Sequence, residues 1–550
     1  MIELLMGDEA VALGAIHSGI GGAFSYPGTP ATEIFEFVQR HAGRGRTLVA
    51  RWSANEKVAY EEAMGMSFVG KRALVSMKHV GLNVAADPFM SSSLTGANGG
   101  LVLAVADDPG MHSSQNEQDS RFYGQFAQIP VFEPGDQQEA YDMTREAFQA
   151  SERFGLPVML RLVTRLAHSR ADITTRPAVE PLPRGRVTDW REWTLLPVNA
   201  RKRYGRLLEM QPPMQDYATL SGFNRLTLRG PKGVIVTGLA NNYFREASAG
   251  ADGYSVLKLG VYPVPAGMVR RLVDHCTDVL VIEEGYPLVE RQLVGLMGVP
   301  GKSIRGKLDG TLPGQGELTT DIIRAVLEGR VACPTPVVMD IPGRPPQLCQ
   351  GCPHCDTYGA VVEAAQGAGA GQPYFFSDIG CYSLAALPPY NAIDSCVDMG
   401  ASISMAIGAA KAGAHPVVAT IGDSTFVHSG MTGLIGAVHD DLNMTVVILD
   451  NALVAMTGGQ EVFATGPDLI RIIRGLGVRP EHLVELDPVP TAHPRNVELI
   501  RREIGHRGLS VVVTQRACIH AKRKGQRDEG TEGRGQGGTK GETAVIAAGG

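Results

Sequence analysis

Val417-Val418-Ala419-Thr420-Ile421-Gly422-Asp423-Ser424, followed downstream by Thr445-Val446-Val447-Ile448-Leu449-Asp450-Asn451, decides how this 550-residue chain is read. Each stretch is a short apolar run, rich in Val and Ile, that ends abruptly in polar residues. Between them Met431, Leu434, Ile435 and Val438 recur at i, i+3, i+4 and i+7, the period of an amphipathic helix. Strand, helix, strand on this spacing predicts a unit of parallel sheet. It puts Asp423 and Asn451 at the carboxyl ends of two strands, where open α/β sheets bind ligands. A carboxylate and an amide oxygen are hard donors suited to Mg²⁺, and Gly422 lets the backbone approach a phosphate.

The same alternation extends outward. Ser510–Thr514 reads as a further strand, so residues 345–518 are expected to form one α/β domain. Ala73–Met77 and Leu101–Ala106 read as buried strands and Glu139–Phe154 as a helix, placing a second α/β domain at 1–170. Residues 171–231 lose the rhythm; Pro177, Pro181, Pro183, Pro212 and Pro213 fall there, and the stretch reads as a linker or surface excursion. Val234–Thr237, Tyr254–Leu259 and Val279–Ile282 read as strands, with Ala266–His275 a helix, giving a domain at 232–335. Pro334 to Pro346 marks the next boundary. Residues 519–550 turn Gly-rich and are expected to be a disordered tail. The expected fold is α/β, with three doubly wound parallel-sheet domains.

Composition sets outer limits. The 67 glycines exceed the usual share of about 7% and suggest close backbone approach to a ligand. A net charge of −6 provides no basic field for nucleic acid. Eight cysteines are too sparse for a disulfide scaffold and fit a reducing compartment. Met1–Gly19 carries Glu3, Asp8 and Glu9 without a basic leader, and no uncharged apolar run reaches the ~18 residues of a membrane span. A cytoplasmic protein without membrane segments is expected.

Gly422-Asp423-Ser424 followed by Asn451 resembles the motif that binds thiamine diphosphate through Mg²⁺. A bland alternative is an Asp cap and an Asn turn at two strand ends. The thiamine reading demands a carboxylate for N1′ of the cofactor's pyrimidine, from a different α/β domain. Glu56, in Trp52-Ser53-Ala54-Asn55-Glu56-Lys57, is the candidate; burial would raise its pKa as that bond requires. Ser53-x-x-Glu56 is also a capping-box pattern, so a purely structural role stays open.

Several further segments widen the resemblance. They are Tyr26-Pro27-Gly28-Thr29-Pro30-Ala31-Thr32-Glu33, Asn55-Glu56-Lys57, Met77–Pro88, Gln115-Asn116-Glu117-Gln118-Asp119, Cys349-Gln350-Gly351-Cys352-Pro353-His354, Gly422–Phe426 and Met456-Thr457-Gly458-Gly459-Gln460. In order and spacing the chain is similar, over residues 1–518, to the alpha-subunit family of indolepyruvate:ferredoxin oxidoreductase. The resemblance implies a pyrimidine-binding domain first, a transketolase-C-like domain in the middle and a diphosphate-binding domain last. It implies an oxidoreductase that decarboxylates a 2-oxoacid, typically an arylpyruvate such as indolepyruvate. The acyl group passes to coenzyme A, and electrons leave singly to ferredoxin or a partner iron–sulfur protein. It assigns Glu56 to N1′, and Asp423, Asn451 and the Leu453 carbonyl to Mg²⁺. Gly422 and Ser424 would approach the diphosphate, and Gly28 and Thr29 would line the substrate loop. Cys352 and His354 lie in a stretch near the cofactor, and Met456 opens the last matching segment. His79 would orient the substrate carboxylate or transfer a proton, with a structural His after a strand as the alternative. A smaller beta subunit and an oligomer are implied as well.

The chain departs from the family in one respect. Members continue into a ferredoxin-like module carrying two [4Fe–4S] clusters, whereas no Cys follows Cys518 here. The expectation is therefore that no [4Fe–4S] cluster sits on this chain and that the electron wire comes from a partner. Cys349-x₂-Cys352-x₂-Cys355 is the remaining cluster candidate, able to hold three corners of a cubane. Cys381 and Cys396 are further ligands or small buried residues. Lys522-Arg523-Lys524 is a solvated linker or a dock for an acidic electron carrier. A non-oxidative thiamine diphosphate decarboxylase and an inactive scaffold subunit are the alternative functions. The intact Glu56, Asp423 and Asn451 speak against the scaffold.

Overall fold

The computed structural model describes residues 1–42, 48–180, 184–248, 253–330, 346–367 and 372–521. Pro181, Pro183, residues 331–345 of the Pro-rich boundary, Lys522-Arg523-Lys524 and the Gly-rich tail lie outside the described residues. The chain divides into two compact units, Met1–Asp340 and Ile341–Gly550.

The first unit begins with β1 (Ile2–Met6), β2 (Gly22–Ser25), β3 (Val49–Trp52), β4 (Ala73–Lys78), β5 (Leu101–Asp107), β6 (Val131–Phe132), β7 (Val158–Val163) and β8 (Arg170–Thr174). It continues with β9 (Arg225–Thr227), β10 (Lys232–Thr237), β11 (Tyr254–Leu259), β12 (Val261–Tyr262), β13 (Asp278–Ile282) and β14 (Ser303–Arg305). β4, β5 and β7 are buried along their whole length, as parallel strands covered on both faces must be. They lie in a seven-stranded sheet of order β12-β6-β7-β5-β4-β2-β3, parallel except for the antiparallel edge pair β12–β6. A five-stranded sheet has the order β14-β13-β10-β11-β9, with only β9 antiparallel. β1 and β8 form a separate antiparallel pair.

The sequence places β12 with the middle segment, yet it completes the first sheet. One apolar core accordingly joins Phe24, Tyr60, Met77 and Leu103 to Ile235, Leu257, Val281 and Leu288. Two wholly buried arginines reinforce that join. Arg121 pairs with Asp119, Glu133 and Glu283, and donates to the carbonyls of Glu284 and Tyr286, each at 2.9 Å. Arg161 pairs with Asp107 and Glu133, both at 2.7 Å. Buried charges of this kind are tolerable only when paired.

The stretch read as a linker carries helices Trp190–Trp193, Pro197–Glu209 and Gln211–Leu220, and it buries Leu207, Met214 and Ala218 in the core. Pro197, Pro212 and Pro213 stand in first turns, where a missing N–H costs no helical bond. Of the prolines that suggested a break, Pro212 and Pro213 therefore start a helix. The helix expected at Glu139–Phe154 spans Gln137–Phe154, because Asp136 caps it by accepting from the Glu139 N–H at 2.8 Å.

The second unit holds β15 (Tyr374–Ser377), β16 (Ser395–Cys396), β17 (Val417–Gly422), β18 (Met444–Asp450), β19 (Leu483–Leu486) and β20 (Leu509–Gln515). They form one parallel sheet of order β16-β15-β17-β18-β20-β19. β17 and β18 are buried throughout and adjacent, so Asp423 and Asn451 follow neighbouring strands at the same sheet end.

Candidate active site

In the second unit the chain turns sharply after β17 and again after β18. Asp423 opens a short helical turn, Asp423–Thr425, which runs into a π-helical turn, Phe426–Gly430, and then the helix Met431–Asp440. Its carboxylate is almost fully buried and accepts three backbone N–H bonds. Ser424 donates at 2.7 Å, Asn451 at 3.2 Å and Ala452 at 2.8 Å. The last two converge because Ala452 takes a left-handed conformation, φ 58°, that L-residues rarely adopt. Burial first, and then the charge of Asp450, push Asp423 up to about 8. Among the described residues no Lys or Arg pairs with Asp423 or Asp450. Two buried acids without a counter-cation suit a divalent ion.

The donor set fits Mg²⁺. Asn451 is 8% exposed, and its amide orientation is fixed from both ends. The Leu453 N–H donates to Oδ1 at 3.1 Å, and Nδ2 lies 3.2 Å from Nε2 of His354. His354 is buried at the start of the helix Pro353–Gln366, and burial pushes its pKa down to about 4. The ring is thus neutral near pH 7, and Nε2 accepts from Asn451. That bond leaves the amide oxygen, which accepts from Leu453, as the only Asn451 side-chain atom with a lone pair to offer an ion.

Gly422 has a reason beyond phosphate approach. A Cβ there would meet the Tyr382 ring at 2.6 Å, and one on Gly380 would meet it at 2.1 Å. Tyr382 donates to Asp378, which also accepts from Ser402 Oγ at 2.6 Å and from the Gly400 N–H at 3.2 Å. Burial pushes Asp378 up to about 6. Sequence reading missed this Asp378–Tyr382 pair, because its partners are distant along the chain. Met456 stands half exposed on the turn Ala455–Thr457, away from the buried set.

The cysteines gather more widely than their sequence spacing suggests. Cys352 caps the helix carrying His354, and its N–H donates to the Cys349 carbonyl at 3.0 Å. Burial and the neighbouring Cys355, Cys518 and Cys349 push the Cys352 thiol up to about 12. Cys381 is pushed up to about 11 by burial, then by Cys518 and Cys349. Cys349 Sγ lies 3.7 Å from His520 Nε2, and the Cys518 N–H donates to the Asn451 carbonyl at 2.9 Å. Cys518, not singled out as a ligand from the sequence, thus joins the thiol group beside the Asp423–Asn451 turn. Cys396 instead donates to the Asp378 carbonyl.

In the first unit Glu56 is the first residue of the helix Glu56–Phe68 and is 5% exposed. The cap is Asn55, whose side chain accepts from the Val58 N–H at 2.9 Å; Ser53 donates instead to Glu62. The capping-box alternative therefore fails. Gly81 is packed onto the Glu56 carboxyl, where a Cβ would meet Cγ and Oε1 at 2.6 Å. Gly81 lies on the helix His79–Val84, which follows β4 directly. Buried His79 stands two residues before it, with Nε2 3.1 Å from Asn116 Oδ1 and Nδ1 without a hydrogen-bond partner among the described residues. Gly28 completes the group: a Cβ there would meet Lys78 Cβ at 3.0 Å, while its N–H donates to Thr32 Oγ1 at 3.0 Å. Thr29, next in the chain, is half-buried. Lys78, lowered by burial and held by the Ser113 carbonyl, is a polar neighbour the sequence did not flag.

Known proteins resemble the chain along most of its length. The family described as pyruvate flavodoxin/ferredoxin oxidoreductase, thiamine diP-bdg, matches residues 13–188. The thiamine pyrophosphate enzyme C-terminal TPP binding domain matches residues 378–485. The chain is 39% identical to indolepyruvate oxidoreductase subunit IorA of Methanothermobacter thermautotrophicus, over 94% of this chain and 86% of that one. It is 38% identical to the subunit of the same name from Archaeoglobus fulgidus, over 96% and 88%. A solved 2-oxoglutarate:ferredoxin oxidoreductase from Magnetococcus marinus shares the fold, with TM-score 0.50 and 16% identity, over 60% of this chain and 65% of that one. No helix among the described residues is long and apolar enough to cross a membrane. With thiamine diphosphate-binding domains at both ends and these relatives along nearly its whole length, the chain belongs to the indolepyruvate oxidoreductase IorA-subunit family, enzymes of thiamine-dependent 2-oxoacid oxidation.

Proposed function

We propose that the chain catalyses the oxidative decarboxylation of an arylpyruvate such as indolepyruvate. The balanced reaction consumes the 2-oxoacid, coenzyme A and two oxidised ferredoxins. It yields acyl-CoA, CO₂, a proton and two reduced ferredoxins. The observation that carries this reading is the Asp423–Asn451 turn, a buried acid pair with no counter-cation among the described residues in an IorA-like chain. Bound thiamine diphosphate would supply the nucleophilic carbon and the electron sink for loss of CO₂.

The chain's own residues would do the rest. Asp423, the Asn451 amide oxygen and the Leu453 carbonyl would hold Mg²⁺, and Ser424 would face the diphosphate. His354 would keep the Asn451 oxygen turned toward the ion. Glu56 would hold the proton at N1′ of the pyrimidine, with Gly81 giving it room. His79, with one ring nitrogen on Asn116, would present the other to the substrate carboxylate or to a proton in transit. Gly28 and Thr29 would border the substrate.

Against the expectation from the sequence that no [4Fe–4S] cluster sits on this chain, the folded grouping of Cys349, Cys352, Cys381 and Cys518 beside the Asp423–Asn451 turn favours these four as cluster ligands, with Cys355 as a competing ligand. Thiols that raise one another's pKa are relieved when they ionise onto a metal. A smaller partner subunit and ferredoxin would complete the electron path.

The test is an anaerobic assay of the chain with and without a beta subunit, given indolepyruvate, thiamine diphosphate and Mg²⁺. Coenzyme A-dependent reduction of ferredoxin or a dye is expected. Free aldehyde without reduction would instead identify a non-oxidative decarboxylase. Electron paramagnetic resonance of the reduced, iron-reconstituted protein tests the cluster; its signal is expected to vanish in Cys518→Ser.

A further inference from the structure

Three further elements of the first unit converge. Asp8 lies in the first turn of the helix Gly7–His17, Glu33 in that of the helix Thr32–Ala42, and His168 ends the helix Thr164–His168. A Cβ on Gly7 would meet the Leu166 carbonyl oxygen at 2.3 Å, so the first of these helices is pressed against the last. One carboxylate oxygen of Asp8, one of Glu33 and one ring nitrogen of His168 all lie within 4.8 Å of one another.

Asp8 is 0% exposed, and neither of its carboxylate oxygens has a hydrogen-bond partner among the described residues. It does not serve its own helix, since Glu9 accepts from the Met6 N–H in its place. Arg40, the nearby guanidinium, sits 3.6 Å from Glu9. Glu33 Oε2 makes no hydrogen bond within the usual limits but is ion-paired with His168 Nε2 at 3.5 Å. A buried, unbonded carboxylate is costly unless something positive meets it. Here it points at a second carboxylate and an imidazole whose side chains are 33% and 35% exposed, which leaves an entry path.

We propose that Asp8, Glu33 and His168 bind a divalent transition-metal cation of the Zn²⁺ or Mn²⁺ class. Two carboxylate oxygens and one imidazole nitrogen suit such ions, and the open side leaves positions for water. Hard, strongly hydrated Mg²⁺ is a poorer match for the nitrogen donor. Such an ion would clamp the starts of two helices to the end of a third.

The test uses the full chain, stripped with chelator and dialysed to equilibrium against limiting free Zn²⁺ with excess Mg²⁺. Bound metal is counted in the wild type, Asp8→Asn and His168→Gln. Zinc held by cysteines is common to all three and cancels in the difference. The wild type is expected to hold one more zinc per chain than either variant, at least tenfold more tightly than any residual binding there. Zn²⁺ is also expected to raise its melting temperature more than theirs. Should Asp8→Asn fail to fold by circular dichroism, His168→Gln at its partly exposed position carries the comparison. Equal stoichiometry in the wild type and a folded variant would overturn the proposal and leave Asp8 as a protonated acid beside Glu33.

Discussion

Single atoms decide most of the candidate chemistry. Glu56 and Gln differ by one protonatable group while filling the same space, so Glu56→Gln is expected to lower kcat by at least ~10², the scale of a lost general acid–base group. Circular dichroism should be unchanged, because Asn55 and not Glu56 caps the helix. If turnover survives, the carboxylate does not serve N1′. His354 would act at one remove, through Asn451. His354→Ala removes the acceptor that fixes the amide, so the Mg²⁺ concentration giving half-maximal activity is expected to rise about tenfold, with kcat at saturating Mg²⁺ changed far less. A loss of kcat that excess Mg²⁺ does not rescue would count against this positioning role.

At the scale of elements, the short segments that follow strands carry the candidate groups, and the helix His79–Val84 shows how tightly one of them is fitted. Ala in place of Gly normally favours a helix by about 1 kcal/mol. At Gly81 the added methyl would strike the Glu56 carboxyl. Gly81→Ala is therefore expected to cut kcat at least ~10-fold, as a displaced catalytic group does. Stability, read by urea unfolding, should fall by no more than about 2 kcal/mol, the overpacking cost of about 1–3 kcal/mol being offset in part by the helix gain; unchanged turnover would mean Glu56 is not where the chemistry occurs. The strands behind these turns were legible in the sequence. Ala73–Lys78, Val417–Gly422 and Met444–Asp450 are apolar runs whose ends the sequence marked to within a residue or two. The placement of Asp423 and Asn451 at adjacent strand ends was legible because the strand–helix–strand spacing survives in one dimension. Helices Pro197–Glu209 and Gln211–Leu220 were not, since proline reads as a breaker unless its place in the first turn is known. Asp378, Lys78 and the grouping of Cys518 with Cys352 were not legible either, because only tertiary folding brings them to their partners.

Across the first unit as a whole, the buried charges make stability depend on pH. Burial raises Glu284 from its ordinary 4.5 to about 7, against the opposing pull of Lys307 and Arg161. Between those values the folded chain keeps a proton that the unfolded chain has released. Stability from this group is full below about 4.5 and is lost as pH rises through about 7. The loss is expected to amount to about 1–3 kcal/mol. Urea midpoints of the wild type should fall between about pH 5 and about pH 8, and Glu284→Gln should flatten that slope. An identical slope in the variant would place the titration elsewhere.

β12 has a bearing on how the protein is made. The open edge at Val131–Phe132 is closed by Val261–Tyr262, and Tyr262 also bonds to Glu133 and Arg121. During synthesis that closing strand leaves the ribosome roughly 130 residues later, on the order of ten seconds at ~5–20 residues per second. For that interval the nascent first sheet exposes an unpaired border to its surroundings, the condition in which chains stick to one another. A translational pause before residue 261 would prolong that exposure, and a chaperone that shields the border would shorten it.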